Sequence, residues 1–178
     1  MSADKPIAVL QGAATPVVQA VMRQFIARLG PGVRAVGVVE DPLPVEDDGC
    51  SAGELKSLGD GRRFPLLQDL GSDATACRLD SSAVVSACDL VQRDIAAGCD
   101  LVMLSKFGKV EAARSGLAPA FATAMEAGIP ILTSVSPKFG EAWDRFAAPL
   151  YVILPPELAA VEAWWAAVHA PATAASEA

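Results

Sequence analysis

Three of the five lysines in this chain follow apolar segments that have the composition of buried strands. Lys106 and Lys109 come after the segment 99–105, and Lys138 comes after the segment 129–135. The carboxyl ends of neighbouring parallel strands meet at one edge of an open α/β sheet, where such folds bind ligands. Ammonium groups gathered at that edge predict a site for an anion. The alternative is that these lysines are ordinary solvated loop charges.

Hydroxyl groups and a predicted helix start accompany these lysines. Ser105, Thr133, Ser134 and Ser136 lie at the same strand ends. The loop 11–15 adds backbone N–H groups and the positive end of a helix dipole, and both favour a bound anion. The residues that we expect to contact this anion are Gly12, Thr15, Ser105, Lys106, Lys109, Arg114, Ser134 and Lys138.

Cys77 is a candidate for a second, thiol-based site. It precedes Arg78 and a predicted helix start at Asp80, and both a cationic neighbour and a helix N-terminus lower a thiol pKa. Cys50 is a candidate partner for Cys77 in a metal or redox pair, although two thiols alone are a weak signal. The alternative, which we favour, is that Cys77 is a small buried hydrophobic residue.

The other metal-ligating residue types argue against a metal site. The four cysteines form no CxxC pair, and their spacings match no standard zinc template. Cys88 and Cys99 lie in apolar segments that predict core positions, and His169 is the only histidine. We therefore expect no metal site and no histidine-dependent hydrolase.

The amino-acid composition indicates which kinds of partner and which cellular compartment to expect. The formal charge is −7, from 14 basic and 21 acidic residues, which argues against nucleic acid or an anionic membrane as the main partner. The hydrophobic fraction is 52%, but no apolar run reaches the ~18 residues of a membrane-spanning helix. The opening segment MSADKPIAVLQG does not resemble a secretory signal. We expect a reduced, cytoplasmic protein.

Apolar strands and helical patterns alternate along the chain. The expected strands are 7–12, 34–40, 99–105, 129–135 and 150–155, and the expected helices are 15–30, 83–98, 115–127, 140–147 and 156–168. For the first helix, Thr15 is predicted as the N-cap and Pro16 as the first helical residue. Continuous apolar strands between helices predict a mostly parallel sheet covered on both faces, which is a three-layer α/β sandwich.

One segment interrupts this alternation. Residues 41–61 are rich in proline, glycine and acidic residues, so a surface excursion is expected. The segments 62–70 and 73–79 predict a β-hairpin around Gly71, with Pro65 placing the first of them at a sheet edge. We expect a single α/β domain over residues 1–168, with 41–80 as an insertion, followed by a disordered tail at 169–178.

Trp164 and Trp165 are adjacent on the last predicted helix. Neighbouring helical positions cannot both face one core direction. One indole is therefore a candidate for an interface between copies of the chain, which leaves a homo-oligomer open.

Three stretches of the chain resemble a bacterial family of unknown function that is often found near molybdate-uptake genes. They are LSKFGK at 104–109, GRRFPLLQDLGSDATACRLD at 61–80 and IPILTSV at 129–135. That family in turn resembles the small P-loop nucleoside-triphosphatases, whose matching strand ends in an Asp-Glu-Ile-Gly motif followed by Met-Glu. The resemblance covers nearly the whole chain and implies the three-layer fold, but it implies no activity.

The first loop departs from the P-loop pattern. In G-x-x-x-x-G-K-[ST], backbone amides hold phosphate, the lysine reaches the β- and γ-phosphates and the hydroxyl binds Mg²⁺. Counting from Gly12, the second glycine, the lysine and the hydroxyl positions hold Val17, Val18 and Gln19. We interpret this as a degenerate Walker motif.

The later strand departs from the pattern as well. Ser105 and Lys106 replace the Mg²⁺-binding acid and its catalytic neighbour, whereas Glu111 matches the glutamate of the relatives' motif. A lysine at that point repels Mg²⁺ and attracts a bare anion. Ordinary Mg²⁺-dependent nucleotide hydrolysis is therefore not expected.

Two function classes follow. The first is a non-hydrolytic anion-binding protein on a P-loop-like scaffold. For this class the resemblance suggests molybdate or tungstate in molybdenum metabolism, and phosphate or sulfate fits the chemistry equally well. The alternative is a divergent nucleotide-binding protein, nucleoside-triphosphatase or phosphotransferase. We favour the first class, with no enzymatic activity and no cofactor other than a bound oxyanion.

Overall fold

The computed structural model of the chain describes residues 5–42, 53–65, 67–68, 78–79 and 81–169. The strands are β1 (Ile7–Leu10), β2 (Ala35–Pro42), β3 (Gly53–Ser57), β4 (Arg63–Pro65), β5 (Leu67–Gln68), β6 (Arg78–Leu79), β7 (Leu101–Leu104), β8 (Ile131–Ser134) and β9 (Tyr151–Leu154). The helices are α1 (Thr15–Arg28), α2 (Ser81–Ala96), α3 (Lys109–Ala112), α4 (Ala118–Glu126), α5 (Gly140–Ala147) and α6 (Leu158–Val168).

Seven strands form one sheet in the order β4-β3-β2-β7-β8-β1-β9. The strands β2, β7, β8, β1 and β9 are parallel, and β3 and β4 continue the sheet in antiparallel pairing. Strands β5 and β6 pair with each other, with Leu67 opposite Leu79. The sheet is therefore mostly parallel, as the alternation of strands and helices predicts.

Helices cover both faces of the sheet. Ala8 and Leu10 of β1 point into a core formed with α1 and α6, whereas Ile7 and Val9 point into a core formed with α2, α4 and α5. All four residues are almost fully buried, which explains why the strand reads as an unbroken apolar run. The three-layer α/β prediction is confirmed.

The predicted capping of α1 is wrong. Ala14, not Thr15, is the N-cap, and no side chain caps the helix. The backbone N–H groups of Val17 and Val18 both donate to the carbonyl of Ala14, so the first helical bonds are already made by the backbone. Thr15 becomes the first helical residue and Pro16 the second.

The segment expected as a surface excursion contributes a strand to the sheet. Residues 53–57 form β3, which pairs with β2, and Leu55 is buried in the core. Buried and partly exposed residues alternate along β3. The sequence did not reveal this strand, because glycines and acidic residues surround it. Pro65 lies on β4 at the edge of the sheet, as predicted. Gly71 and Asp80 lie outside the described residues.

Both tryptophans of α6 contact the core formed with α1, so the prediction that only one of them could face a single core is wrong. Trp164 is buried, and its indole Nε1 donates to the carbonyl of Lys5 at 2.8 Å. Trp165 packs edge-on against Phe25 and stacks on His169. The proposed tail beyond residue 169 lies outside the described residues. In the part of the chain that the structure describes, no helix combines the length and apolar character that crossing a bilayer requires.

Candidate anion-binding site

The chain order of the sheet creates a crevice between β1 and β8. These neighbouring strands lead to helices on opposite faces, since α1 packs on one side of the sheet and α5 on the other. Such a topological switch point is where open α/β sheets bind ligands. A cleft of about 440 Å³ lies there. We call it the lysine cleft, and the predicted residues that line it are Gly12, Thr15, Lys106, Lys109, Ser134 and Lys138.

The loop from β1 to α1 forms one wall of the lysine cleft. Gly12 has φ of +119°, a conformation that side-chain-bearing residues rarely adopt, so the turn out of β1 requires glycine. Gln11 ties this loop to the neighbouring strand end because its Nε2 donates to the carbonyl of Val135 at 2.8 Å. Among the described residues, the backbone N–H groups of residues 12–15 have no hydrogen-bond acceptor. Residues 12–15 line the cleft, so these backbone donors are candidates for contacts with an anion.

The loop after β7 forms the opposite wall. Phe107 is 1% exposed, and its backbone N–H donates to the carbonyl of Ser134 at 2.8 Å. This anchor leaves the side chains on either side of it, Lys106 and Lys109, exposed at the cleft. The third ammonium belongs to Lys138, which lies 5.2 Å from the centre of the Phe139 ring.

One of these lysines has an acidic partner that the sequence did not indicate. The Nζ of Lys106 lies 3.6 Å from Oε2 of Glu40 at the end of β2. That oxygen is buried and has no hydrogen-bond partner within the described residues. Strands β2 and β7 approach closely at Gly37, where a Cβ would lie 1.8 Å from the carbonyl oxygen of Met103. This close approach places Glu40 beside Lys106.

Ser105 does not reach the lysine cleft. It is 1% exposed, and its carbonyl accepts hydrogen bonds from Nε2 of Gln19 at 2.9 Å and from Oγ of Ser134 at 2.8 Å. The hydroxyl hydrogen of Ser134 is therefore engaged with the strand end. Arg114 is also outside the cleft, and it lines a separate groove between α4 and α5.

Gln19 is a structural residue of the site that sequence reasoning missed. Its amide bridges two strand ends, since Nε2 donates to the carbonyl of Ser105 and Oε1 accepts from the N–H of Glu40 at 3.4 Å. The side chain is 3% exposed. A polar residue on the apolar face of α1 was the available signal. The amide of Gln19 therefore forms hydrogen bonds with the protein backbone and supports the site without contacting a ligand.

Glu111 supports the loop that carries the lysines. Its carboxylate accepts from the backbone N–H of Gly108 at 3.0 Å and from that of Leu117 at 3.1 Å. The residue is 7% exposed. Gly116 leaves room for this arrangement, because a Cβ there would lie 2.5 Å from a Glu111 oxygen. The acid that matches the relatives' motif is engaged in backbone hydrogen bonds.

The proposed thiol site falls largely outside the described residues. Cys50 and Cys77 are not among them, and of Arg78 only the backbone, in β6, is described. Cys88 is buried and Cys99 is half-buried, and burial raises the pKa of both thiols. In the described part of the chain, no group of three or more His, Cys, Asp or Glu residues is placed to hold a metal ion.

We expect Cys88 and Cys99 to react slowly with iodoacetamide at neutral pH in the folded protein. The thiolate is the reactive form, and a raised pKa leaves little of it. Pulse labelling followed by peptide mass spectrometry measures each site, and labelling in denaturant gives the unprotected rate. Native labelling of Cys88 at that unprotected rate would contradict its burial. If Cys77 is labelled faster than Cys88 and Cys99, the result would support the thiol-site hypothesis.

Comparisons with known proteins agree with this architecture. Residues 7–164 match the family described as "Protein of unknown function (DUF2478)". The chain is 39% identical over 135 residues to the Molybdenum import ATP-binding protein ModC 2 of Bradyrhizobium diazoefficiens. That match covers 75% of this chain but only 15% of the relative. The crystal structure of THEP1 from Aquifex aeolicus superposes with a TM-score of 0.52 and 10% identity, over 84% of this chain and 87% of THEP1. The THEP1 similarity confirms the fold.

Proposed function

The chain belongs to the DUF2478 family, and we propose that this member binds an oxyanion, or a ligand that carries one, in the lysine cleft without hydrolysing it. The observation that carries the proposal is the convergence of Lys106, Lys109 and Lys138 with the start of α1 on one cleft. This convergence occurs in a chain with a formal charge of −7. A cluster of three lysines is therefore not explained by a general excess of basic residues.

The charges in the cleft suit a divalent anion. Lys106 is partly balanced by Glu40, whereas neither Lys109 nor Lys138 forms an ion pair with a described residue. Two uncompensated ammonium groups match two negative charges. The backbone N–H groups of residues 12–15, which have no acceptor among the described residues, add directional donors for the oxygens of a tetrahedral anion.

Molybdate and tungstate are the first oxyanions to test. The relative from Bradyrhizobium diazoefficiens carries molybdenum import in its name, and the family resemblance suggests the same context. Because this chain corresponds to only 15% of that protein, a role in molybdenum metabolism is a proposal for this chain. Sulfate is also a tetrahedral dianion, and phosphate is partly one at neutral pH, so both belong in the same experiment.

A nucleotide is the second candidate ligand. The name of the same relative includes ATP binding, and the fold is that of THEP1. The cleft volume of about 440 Å³ falls in the range of pockets for small organic ligands, which is about 300–1,000 Å³. In this case the lysines would hold the phosphates and the remainder of the cleft would hold part of the nucleoside.

The direct test is a thermal-shift panel of molybdate, tungstate, sulfate, phosphate, ATP and GTP, each with and without Mg²⁺ and at constant ionic strength. A ligand that binds only the folded state raises Tm. The matched control is a triple alanine variant at Lys106, Lys109 and Lys138. A shift that the triple variant retains would place the ligand elsewhere, and no shift with any of these compounds would refute the proposal.

We expect no appreciable Mg²⁺-dependent ATPase or GTPase activity. Phosphoryl transfer depends on positioning and charge neutralisation, and the positions for the loop lysine and hydroxyl hold Val18 and Gln19. Gln19 is also committed to the carbonyl of Ser105. The measurement is phosphate release by a purified sample with a chelator control. Chelator-sensitive turnover above ~0.1 s⁻¹, a tenth of the slow limit of ordinary kinases, would contradict it.

A further inference from the structure

A second cationic feature lies away from the lysine cleft. A groove of about 640 Å³ runs between α4 and α5, on the face of the sheet opposite to α1. We call it the arginine groove. Arg114 and Arg145 line it, and its apolar surface includes Ala118, Ala122, Ala142 and Phe146.

Arg114 occupies a backbone position where glycine is the usual residue. It follows α3 with φ of +64°, and its N–H donates to the carbonyl of Glu111 while the N–H of Ser115 donates to that of Val110. This pair of hydrogen bonds is the Schellman pattern that ends helices, and glycine is its preferred left-handed residue. An arginine there costs local stability. The side chain of Arg114 is therefore carried by a residue whose backbone conformation is unfavourable for most residues other than glycine.

Both guanidinium groups are available to a ligand. Arg114 and Arg145 are exposed, and neither forms an ion pair with any residue that the structure describes. Arg145 donates one N–H, from Nε, to the carbonyl of Glu141 at 3.4 Å. The acid lining the groove, Glu111, accepts two backbone N–H groups. Within the described residues, the other N–H donors of the two guanidinium groups have no acceptor.

From these observations we propose that the arginine groove binds an acidic segment of a partner protein. Guanidinium groups hold carboxylates through paired hydrogen bonds. The alanines of the floor let a peptide backbone approach closely, and Phe146 offers an apolar contact. Charge complementarity identifies the occupant, because the groove presents two arginines that form no ion pair with a described residue. The ligand is a segment with two acidic residues flanking small or aliphatic ones.

The test uses short fluorescein-labelled peptides and fluorescence polarisation on the full chain. One peptide alternates Glu with Leu, and its controls alternate Gln or Lys with Leu. The variants are Arg114→Gly, Arg145→Gln and their combination. The matched control is Arg28→Gln, which removes the same charge from α1 on the other face, where Arg28 pairs with Glu162.

We expect only the acidic peptide to bind. Each groove variant should weaken it about tenfold, as expected for loss of one charge-assisted hydrogen bond, and the double variant should abolish binding. Arg28→Gln should bind like the wild type. Arg114→Gly should also raise Tm by about 2–4 °C, the shift that relief of one unfavourable left-handed residue produces in a chain of this size. If Arg114→Gly has a higher Tm but binds the peptide more weakly, the loss of binding is not caused by loss of folding.

Three results would overturn the proposal. Equal binding of the Glu and Gln peptides would show that charge is not recognised, and wild-type affinity in the double variant would place the peptide elsewhere. Displacement of the peptide by free glutarate at equal concentration would make the groove a small-molecule site. The Lys106→Ala variant should leave peptide binding unchanged, because the proposal is independent of the lysine cleft.

Discussion

Replacing Lys106 with alanine is expected to weaken oxyanion binding about ten- to a hundredfold, because a charge-assisted hydrogen bond contributes roughly 1.5–3 kcal/mol. The structure adds a second reason for a large effect. Without Lys106, the carboxylate of Glu40, 3.6 Å from Nζ in the wild type, would be left unpaired beside the bound anion. Calorimetric titration with the anion that gives the largest thermal shift measures the change.

Lys109→Ala and Lys138→Ala should have smaller effects, because neither lysine forms an ion pair with a described residue and their loops allow them to turn to solvent. Lys56→Ala is the control for charge alone. Lys56 lies on β3 and does not line the cleft. Wild-type affinity in all four variants would show that these lysines are solvated loop charges. Added salt should weaken wild-type binding, because exposed charges are screened beyond a Debye length of about 10 Å at 0.1 M.

The role of Glu40 can be separated by a double-mutant cycle. Glu40→Gln should tighten anion binding by up to about fivefold, the effect of at most ~1 kcal/mol for such a pair, because Lys106 is released from its internal partner. In the Lys106→Ala background, Glu40→Gln should restore part of the lost affinity, because it removes the carboxylate that no longer has a lysine partner. If Glu40→Gln leaves the affinity unchanged in both backgrounds, Glu40 does not act on the anion through Lys106.

Replacing Glu111 with alanine is expected to lower the free energy of unfolding by about 3–5 kcal/mol. The substitution removes the acceptor of the half-buried N–H of Gly108 and of the buried N–H of Leu117, and hydrogen bonds to a charged group contribute roughly 1.5–3 kcal/mol each. Glu111→Gln should cost less, because its amide oxygen retains one of the two bonds. Urea denaturation monitored by tryptophan fluorescence measures both variants.

The control for this effect is Glu126→Ala, which removes an exposed carboxylate from the end of α4. Substitutions at such surface positions stay within about 0.5 kcal/mol. A loss below about 1 kcal/mol for Glu111→Ala would show that the loop finds other acceptors. Weaker anion binding by the folded Glu111→Gln variant would further show that Glu111 positions the lysine loop, because Glu111 does not line the lysine cleft.

The sequence by itself determined the layered α/β class and the edge on which the lysines lie. Segments such as 101–104 are apolar on every residue, and several such short runs alternating with helical patterns are typical of strands covered on both faces. Helical patterns between them require parallel strands, and parallel strands bring their carboxyl ends to one edge. Lys106 and Lys138 therefore had to lie on the same edge, whatever the order of the strands.

The order of the strands was decided only by the tertiary structure, and it selected which residues meet. Placing β8 beside β1 brought residues 12–15 against Ser134 and Lys138, and placing β2 beside β7 brought Glu40 to Lys106. Local conformation then separated residues that are close in sequence. Ser105 directly follows β7 and is buried there. The left-handed turn at Arg114 directs the chain towards α4 and α5. Pairings between distant segments leave no periodic signal in the sequence, because they depend on packing of whole elements rather than on local residue spacing.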